Sequence, residues 1–83
     1  NSNGIVKVSP NPFTDETEIS FFESFRTIQV DVYDLQGKLV GQQKYPSGNC
    51  FRFKGNELKS GAYYLKMLLD NKKMVTKKVI INH

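Results

Sequence analysis

Thr27-Ile28-Gln29-Val30-Asp31-Val32-Tyr33 alternates apolar and polar residues with a period of two, and this stretch constrains the fold more than any other. Ile28, Val30 and Val32 fall on one face of a strand, with Thr27, Gln29, Asp31 and Tyr33 on the other. Asp34-Leu35-Gln36-Gly37 supplies a turn. An Asp carboxylate bonds backbone two residues on, and Gly accepts the positive φ that closes a short hairpin loop. Lys38 to Lys44 is the return strand, weaker because Gly41, Gln42 and Gln43 add little packing. Two elements precede this hairpin and three follow it, so it is expected near the centre of a sheet.

Ile5 to Val8 reads as a first short strand that stops at Ser9-Pro10-Asn11-Pro12-Phe13. Two prolines remove two backbone donors, so the segment is neither a central strand nor a helix. Phe13 is expected to plug one end of the core. Asp15 to Phe22 makes a second strand with Thr17, Ile19 and Phe21 on one face, and Phe22 breaks the alternation, as at a bulge or a shared edge. Glu23 to Arg26 links it to the hairpin. Pro46 to Asn49 is a turn into Cys50-Phe51-Arg52-Phe53-Lys54, where Phe51 and Phe53 face inward. Gly55 to Gly61 is a loop with one apolar anchor, Leu58. Ala62 to Leu69 is the strongest strand, and Asp70-Asn71-Lys72 turns it into the last, Lys73 to Ile81. The facing of that last strand is open. Val75, Val79 and Ile81 share a parity with Lys77, while Met74 and Ile80 share one with Thr76 and Lys78. A bulge near Lys77-Lys78, or a strand covered on both faces at its end, would reconcile the pattern.

About seven short strands with turn signals every 8–12 residues or so define an all-β chain. The expected fold is an immunoglobulin-like antiparallel β-sandwich, preferred over a five-stranded barrel. Leu58, Gly61 and Tyr63 have the spacing of a tyrosine corner, in which a Tyr hydroxyl bonds back to upstream backbone. The apolar residues are mostly Val, Ile, Phe and Tyr, with one Ala and no Trp, a bias that suits half-buried pleated surfaces. At 83 residues the chain holds one domain, divided as a linker end over 1–4 and the folded unit over 5–83. It begins at Asn1 rather than Met and is expected to be a piece of a longer protein.

Chemistry-bearing residues are sparse. The single histidine, His83, is the last residue, and the single cysteine, Cys50, can form no internal disulfide. Glu16 and Glu18 share a strand face, where carboxylates are normally just solvated. The Cys and His are too few for zinc, and Asp70-Asn71 lacks partners for calcium. The reading is a non-enzyme with no cofactor or metal. No apolar run reaches the ~20 residues of a membrane helix, so no direct membrane insertion is expected. Residues 1–34 carry a net −4 and residues 35–83 a net +8, an asymmetry that fits either an anionic partner or complementary faces. Nucleic acid is not expected as a partner, because alternation puts Phe51 and Phe53 on the face opposite Arg52 and Lys54. Tyr33, Tyr45 and Tyr64 fall on outward or loop positions, so a carbohydrate-binding module of a larger extracellular protein stands as an alternative.

Four blocks resemble the C-terminal sorting domains of the type IX secretion system. Val8-Ser9-Pro10-Asn11-Pro12-Phe13 is similar to that family's "YPNP" opening, with Ser9 in place of the Tyr. Val32-Tyr33-Asp34-Leu35-Gln36-Gly37-Lys38 resembles its "vyDlxGk" hairpin, Leu58 to Leu65 its "LxxGxYxv" segment, and Thr76 to Ile81 its closing "tkKvii", after which Asn82-His83 trail. The blocks occur in family order across nearly the whole chain, which makes the joint match specific. The resemblance implies an address on a cargo protein that lies upstream, passes through the periplasm of a Gram-negative cell and ends at the cell surface or outside it. It implies as partners an outer-membrane translocon, a shuttle protein and a sortase-like transpeptidase that removes the domain, cutting at or upstream of Asn1 to Gly4. A few members instead belong to the machinery and retain the domain. Recognition is expected along the last strand, at Lys72, Lys73, Lys77 and Lys78 with Val79, Ile80 and Ile81; the competing role for those lysines is protection of a sheet edge. Pro10, Asn11, Pro12, Asp34, Gly37, Leu58, Gly61 and Tyr63 are expected to determine the fold. Exposed edge strands leave a dimer open.

Overall fold

The computed structural model describes residues 5–83, and the linker reading for Asn1 to Gly4 lies outside them. The seven strands are β1 (Ile5–Ser9), β2 (Glu16–Phe25), β3 (Ile28–Tyr33), β4 (Leu39–Tyr45), β5 (Gly48–Lys54), β6 (Gly61–Leu69) and β7 (Lys73–Ile81). They form two antiparallel sheets, a smaller one ordered β1-β2-β5 and a larger one ordered β4-β3-β6-β7. No helix occurs among the described residues. The fold is the expected β-sandwich.

The alternating residues build the core directly. Ile19, Phe21, Phe51 and Phe53 face Ile28, Val30, Val32, Leu65, Met67 and Leu69 across the interior, all buried. β3 lies inside the larger sheet as expected, but its partner β4 lies at the edge. Gly41, Gln42 and Gln43 offer β4 little apolar surface to bury, so a central place would gain nothing. β5 then crosses to pair with β2 rather than with β4. β2 runs further than the expected end at Phe22: Phe22 faces out and Phe25 in, on the parity of Thr17, Ile19 and Phe21, while the pairing with β5 shifts register between Ser20 and Phe25. The buried Phe25 ring meets Phe21 edge-on at 5.3 Å.

The sequence left two solutions for β7, and neither occurs. Its pairing with β6 is unbroken from Lys73 to Ile81, so there is no bulge, and Ile80 is 41% exposed, so the end is not covered on both faces. Instead β7 is an edge strand. Lys77 lies on the core-facing parity between buried Val75 and Val79 yet remains exposed. At an open edge a lysine stem can lie along apolar surface while its ammonium reaches water.

Three predicted local structures are present. Phe13 is buried, meets Phe53 edge-on at 6.1 Å and forms a parallel bridge to Ile81. The Phe13 N–H donates to Ile80 O at 3.0 Å, Asn82 N–H donates to Phe13 O at 2.8 Å, and Ile80 N–H donates to Asn11 Oδ1 at 2.9 Å. The Thr17 hydroxyl, the one buried polar side chain among the described residues, donates to Pro10 O. Pro10 and Pro12 each follow a cis peptide bond. The tyrosine corner closes with Tyr63 OH donating to Lys59 O at 2.7 Å.

In the β3–β4 turn, Asp34 Oδ1 accepts from the Gln36 and Lys38 N–H groups, each at 2.9 Å, and Gly37 has φ +86°. No atom comes within 4 Å of a β-carbon built at Gly37, so its requirement is conformational rather than steric. Gly37→Val is therefore expected to cost at least ~1 kcal/mol, seen as a lower melting temperature. An unchanged melt would remove the turn from the set of fold determinants.

Candidate functional site

The residues that carry chemistry are placed singly. No group of three or more His, Cys, Asp or Glu that could hold a metal occurs among the described residues. Glu16 pairs with Arg52 at 2.7 Å on the exposed face of the smaller sheet. Cys50 is exposed, and its thiol sits above its ordinary pKa, chiefly through a hydrogen bond to Glu18, with desolvation and the Glu18 charge adding and Arg52 opposing. That neighbour holds the proton on the thiol, the reverse of activation. His83 is not frayed. Its N–H donates to Ser60 Oγ at 3.0 Å and its Nε2 lies 2.7 Å from Leu58 O, which fastens it to the tyrosine-corner loop. Asp70 Oδ1 accepts backbone N–H groups from Arg26 at 2.6 Å and Thr27 at 3.2 Å. The calcium-like Asp-Asn pair thus acts as a structural clamp. Surface hollows are open, and one of about 530 Å³ lies beside this clamp between Arg26 and Lys72.

The aromatic positions separate. Tyr45, expected outside, stacks on Phe51 with ring centroids 4.2 Å apart, and burial pushes its phenol above the ordinary pKa. It is a wall of the core and not a platform. Tyr33 and Tyr64 do face outward, side by side in the β3–β6 register. The Lys66 ammonium lies 5.3 Å from the Tyr33 ring centre.

The four lysines expected to act together lie in two places. Lys72 sits in the β6–β7 turn, and Lys73 Nζ is 3.6 Å from Glu23 Oε2 and 5.9 Å from the Phe25 ring centre. Lys77 and Lys78 lie four to five residues further along, roughly 13–17 Å at strand rise, and point to opposite faces of the sheet. Of the three apolar residues that close the strand, Val79 and Ile81 are buried and Ile80 is exposed.

The open edge of β7 adds a feature of the backbone. Ile80 directs its N–H and C=O away from β6, toward Asn11 and Phe13. Residues of the same parity, Met74, Thr76 and Lys78, direct theirs the same way, and among the described residues no strand pairs beyond β7. The segment from Pro10 to Phe13 therefore covers the end of the edge and leaves Met74 to Lys78 uncovered. Sequence reading located the strand and raised an edge position as one reading of its lysines, and the sheet order places it there.

By its fold the chain falls in the class of small all-β sandwich domains, with an uncovered cationic edge strand. A sequence comparison gives that class its family: residues 7–82 match the model of the secretion system C-terminal sorting domain. The chain belongs to this family, the sorting domains of the type IX secretion system. It is a C-terminal sorting signal of a secreted or cell-surface protein and interacts with the secretion system, and the family is not one of enzymes. No curated protein matches the chain.

Proposed function

We propose that the secretion machinery reads this signal along β7. One observation carries the reading: the N–H and C=O groups of Met74, Thr76 and Lys78 face an open sheet edge with exposed lysines on both of its faces. Such an edge suits an extended, acidic segment of a receptor, which would add main-chain hydrogen bonds and charge pairing together. Lys72 and Lys73 would contact the receptor at the turn, and Ile80 at the covered end. In this reading the cargo lies upstream and crosses the periplasm. The shuttle protein and translocon bind the folded domain, and the sortase-like transpeptidase cuts at or upstream of Asn1 to Gly4.

The test fuses the chain to an exported reporter in a host carrying the type IX system. Lys77→Gln with Lys78→Gln is expected to reduce export while leaving the melting temperature within a few degrees, because exposed charges contribute little to stability. Normal export of that variant sinks the reading. Normal export with new aggregation would assign the lysines to edge protection instead.

A further inference from the structure

The larger sheet carries a second feature, on its outer face. Tyr33 lies beside Tyr64, Tyr64 beside Lys78 and Ala62 beside Ile80 across consecutive strands. Leu35, 60% exposed, stands in the β3–β4 turn above them, and with Tyr33, Tyr64 and Lys66 it lines an open hollow of about 300 Å³. Leu39 lies opposite Tyr33 on the other side. Of the seven exposed large apolar side chains among the described residues, Leu35, Leu39, Tyr64 and Ile80 thus gather at one end of one face. A contiguous exposed apolar patch of this kind marks an interaction site, unlike single apolar residues scattered over a surface.

We infer that this patch is a second docking surface for a protein of the secretion system, one that presents an apolar projection ringed by carboxylates. The inference rests on the reading of the chain as a signal bound by that machinery. Charge specifies the partner. Lys66 and Lys78 flank the patch as cations. Of the two carboxylates nearby, Asp34 accepts two backbone N–H groups of its own turn through Oδ1, and Asp31, opposite Lys66, accepts from Gln42 Nε2 at 3.1 Å. A rim of this sign favours an acidic partner and disfavours a basic one. Tyrosine is also among the residues that dominate protein interfaces. A sugar fits less well, because the Lys66 ammonium occupies the Tyr33 ring face on which a sugar would stack. The surface also gives the β3–β4 turn a task beyond folding, since it joins Tyr33 and Leu35 to Tyr64 and to Lys78 and Ile80.

The reporter fusion tests this with Leu35→Glu and, separately, Tyr64→Glu. Each puts a carboxylate against the acidic rim of the partner and leaves the β7 edge unchanged. Export is expected to fall about tenfold or more, the loss of a contact worth ~1.4 kcal/mol or above, at an unchanged melting temperature. Phe22→Glu, an equally drastic change at a 70% exposed residue of the other sheet, is expected to export normally. If Tyr64→Glu fails to fold, Leu35→Glu alone decides. Normal export of Leu35→Glu, alongside failure of Lys77→Gln with Lys78→Gln, overturns this surface and keeps the edge reading; no export of the unmodified fusion overturns both. Calorimetric binding of laminarihexaose or chitohexaose to the purified fusion, abolished by Tyr64→Glu, would also overturn it, in favour of a sugar site.

Discussion

Ile81→Ala is expected to remove about 2–5 kcal/mol of stability and to lower the melting temperature by roughly 10 °C or more. For a domain of this length, at ~0.05–0.15 kcal/mol per residue, that is a large share of the whole. Ile81 is 1% exposed and sits where three segments meet. Its backbone bridges to Phe13, and its side chain fills the space above Gly55, where an added β-carbon would lie 2.7 Å from Ile81 Cδ1 and 3.0 Å from Phe13 Cε2. Gly55→Ala should therefore destabilise on its own by about 1–3 kcal/mol through overpacking. The two changes should then compensate. Truncating Ile81 removes the nearest clash, and the new methyl fills part of the cavity, so the double variant should be less destabilised than the sum of the singles. Thermal unfolding of the four proteins by circular dichroism measures the coupling, and strict additivity would show that Gly55 and Ile81 do not share this space.

Gly55 illustrates what alternation could not convey. A glycine between a strand and a polar stretch reads as loop, and its close approach to Phe13 and Ile81 depends on residues 26 or more positions away. The parts of the fold legible beforehand depended on local pattern: the inward faces of β2, β3, β5 and β6, the Asp34–Gly37 turn, and the Tyr63 corner with its partner four residues back. The parts that were not legible depend on sheet order. Lys77 broke the parity of β7 because an edge position tolerates a charge on the core-facing side, and no local pattern tells an edge strand from a central one. Tyr45 read as surface because its stacking partner, Phe51, lies across the passage from the larger sheet to the smaller.

The candidate site divides in the same way. The strand expected to carry recognition stood out by its lysines and its apolar ending. Their grouping did not, since Lys73 meets Glu23 and Phe25 next to the turn that holds Lys72, while Lys78 lies beside Tyr64 on the outer face. Two motif blocks that looked independent, the hairpin turn and the closing strand, therefore meet on one surface. A sorting signal carried on unrelated cargoes benefits from that arrangement, because only the folded sandwich assembles the surface and an unfolded chain presents no part of it in register. Loss of export and loss of stability should accordingly separate only for exposed positions such as Leu35 and Lys78.

Asp70 provides the second large effect, and a series of three substitutions resolves its causes. The residue has φ +55°, and its Oδ1 clamps the β2–β3 link through the Arg26 and Thr27 N–H groups, while its own N–H donates to Thr27 O at 2.9 Å. Asp70→Asn keeps an acceptor and tolerates positive φ, so it should cost about 1 kcal/mol or less. Asp70→Gly keeps the conformation and loses both side-chain bonds, for about 1–3 kcal/mol. Asp70→Ala loses the bonds and adds the left-handed penalty of ~1–2 kcal/mol, which places it last, at about 2–5 kcal/mol in all. Equal melting temperatures for the Gly and Ala variants would show that the backbone conformation relaxes without cost. A Gly variant as stable as the parent would show that the clamp contributes nothing. Hydrogen exchange locates the effect: Arg26 and Thr27 amides should lose protection in the Gly and Ala variants ahead of the core strands, because the clamp is what joins the turn of the last hairpin to the passage between the sheets. Protection lost uniformly across the domain would instead mean that the clamp is part of the single cooperative unit, and that β7 cannot loosen for a receptor without unfolding the whole signal.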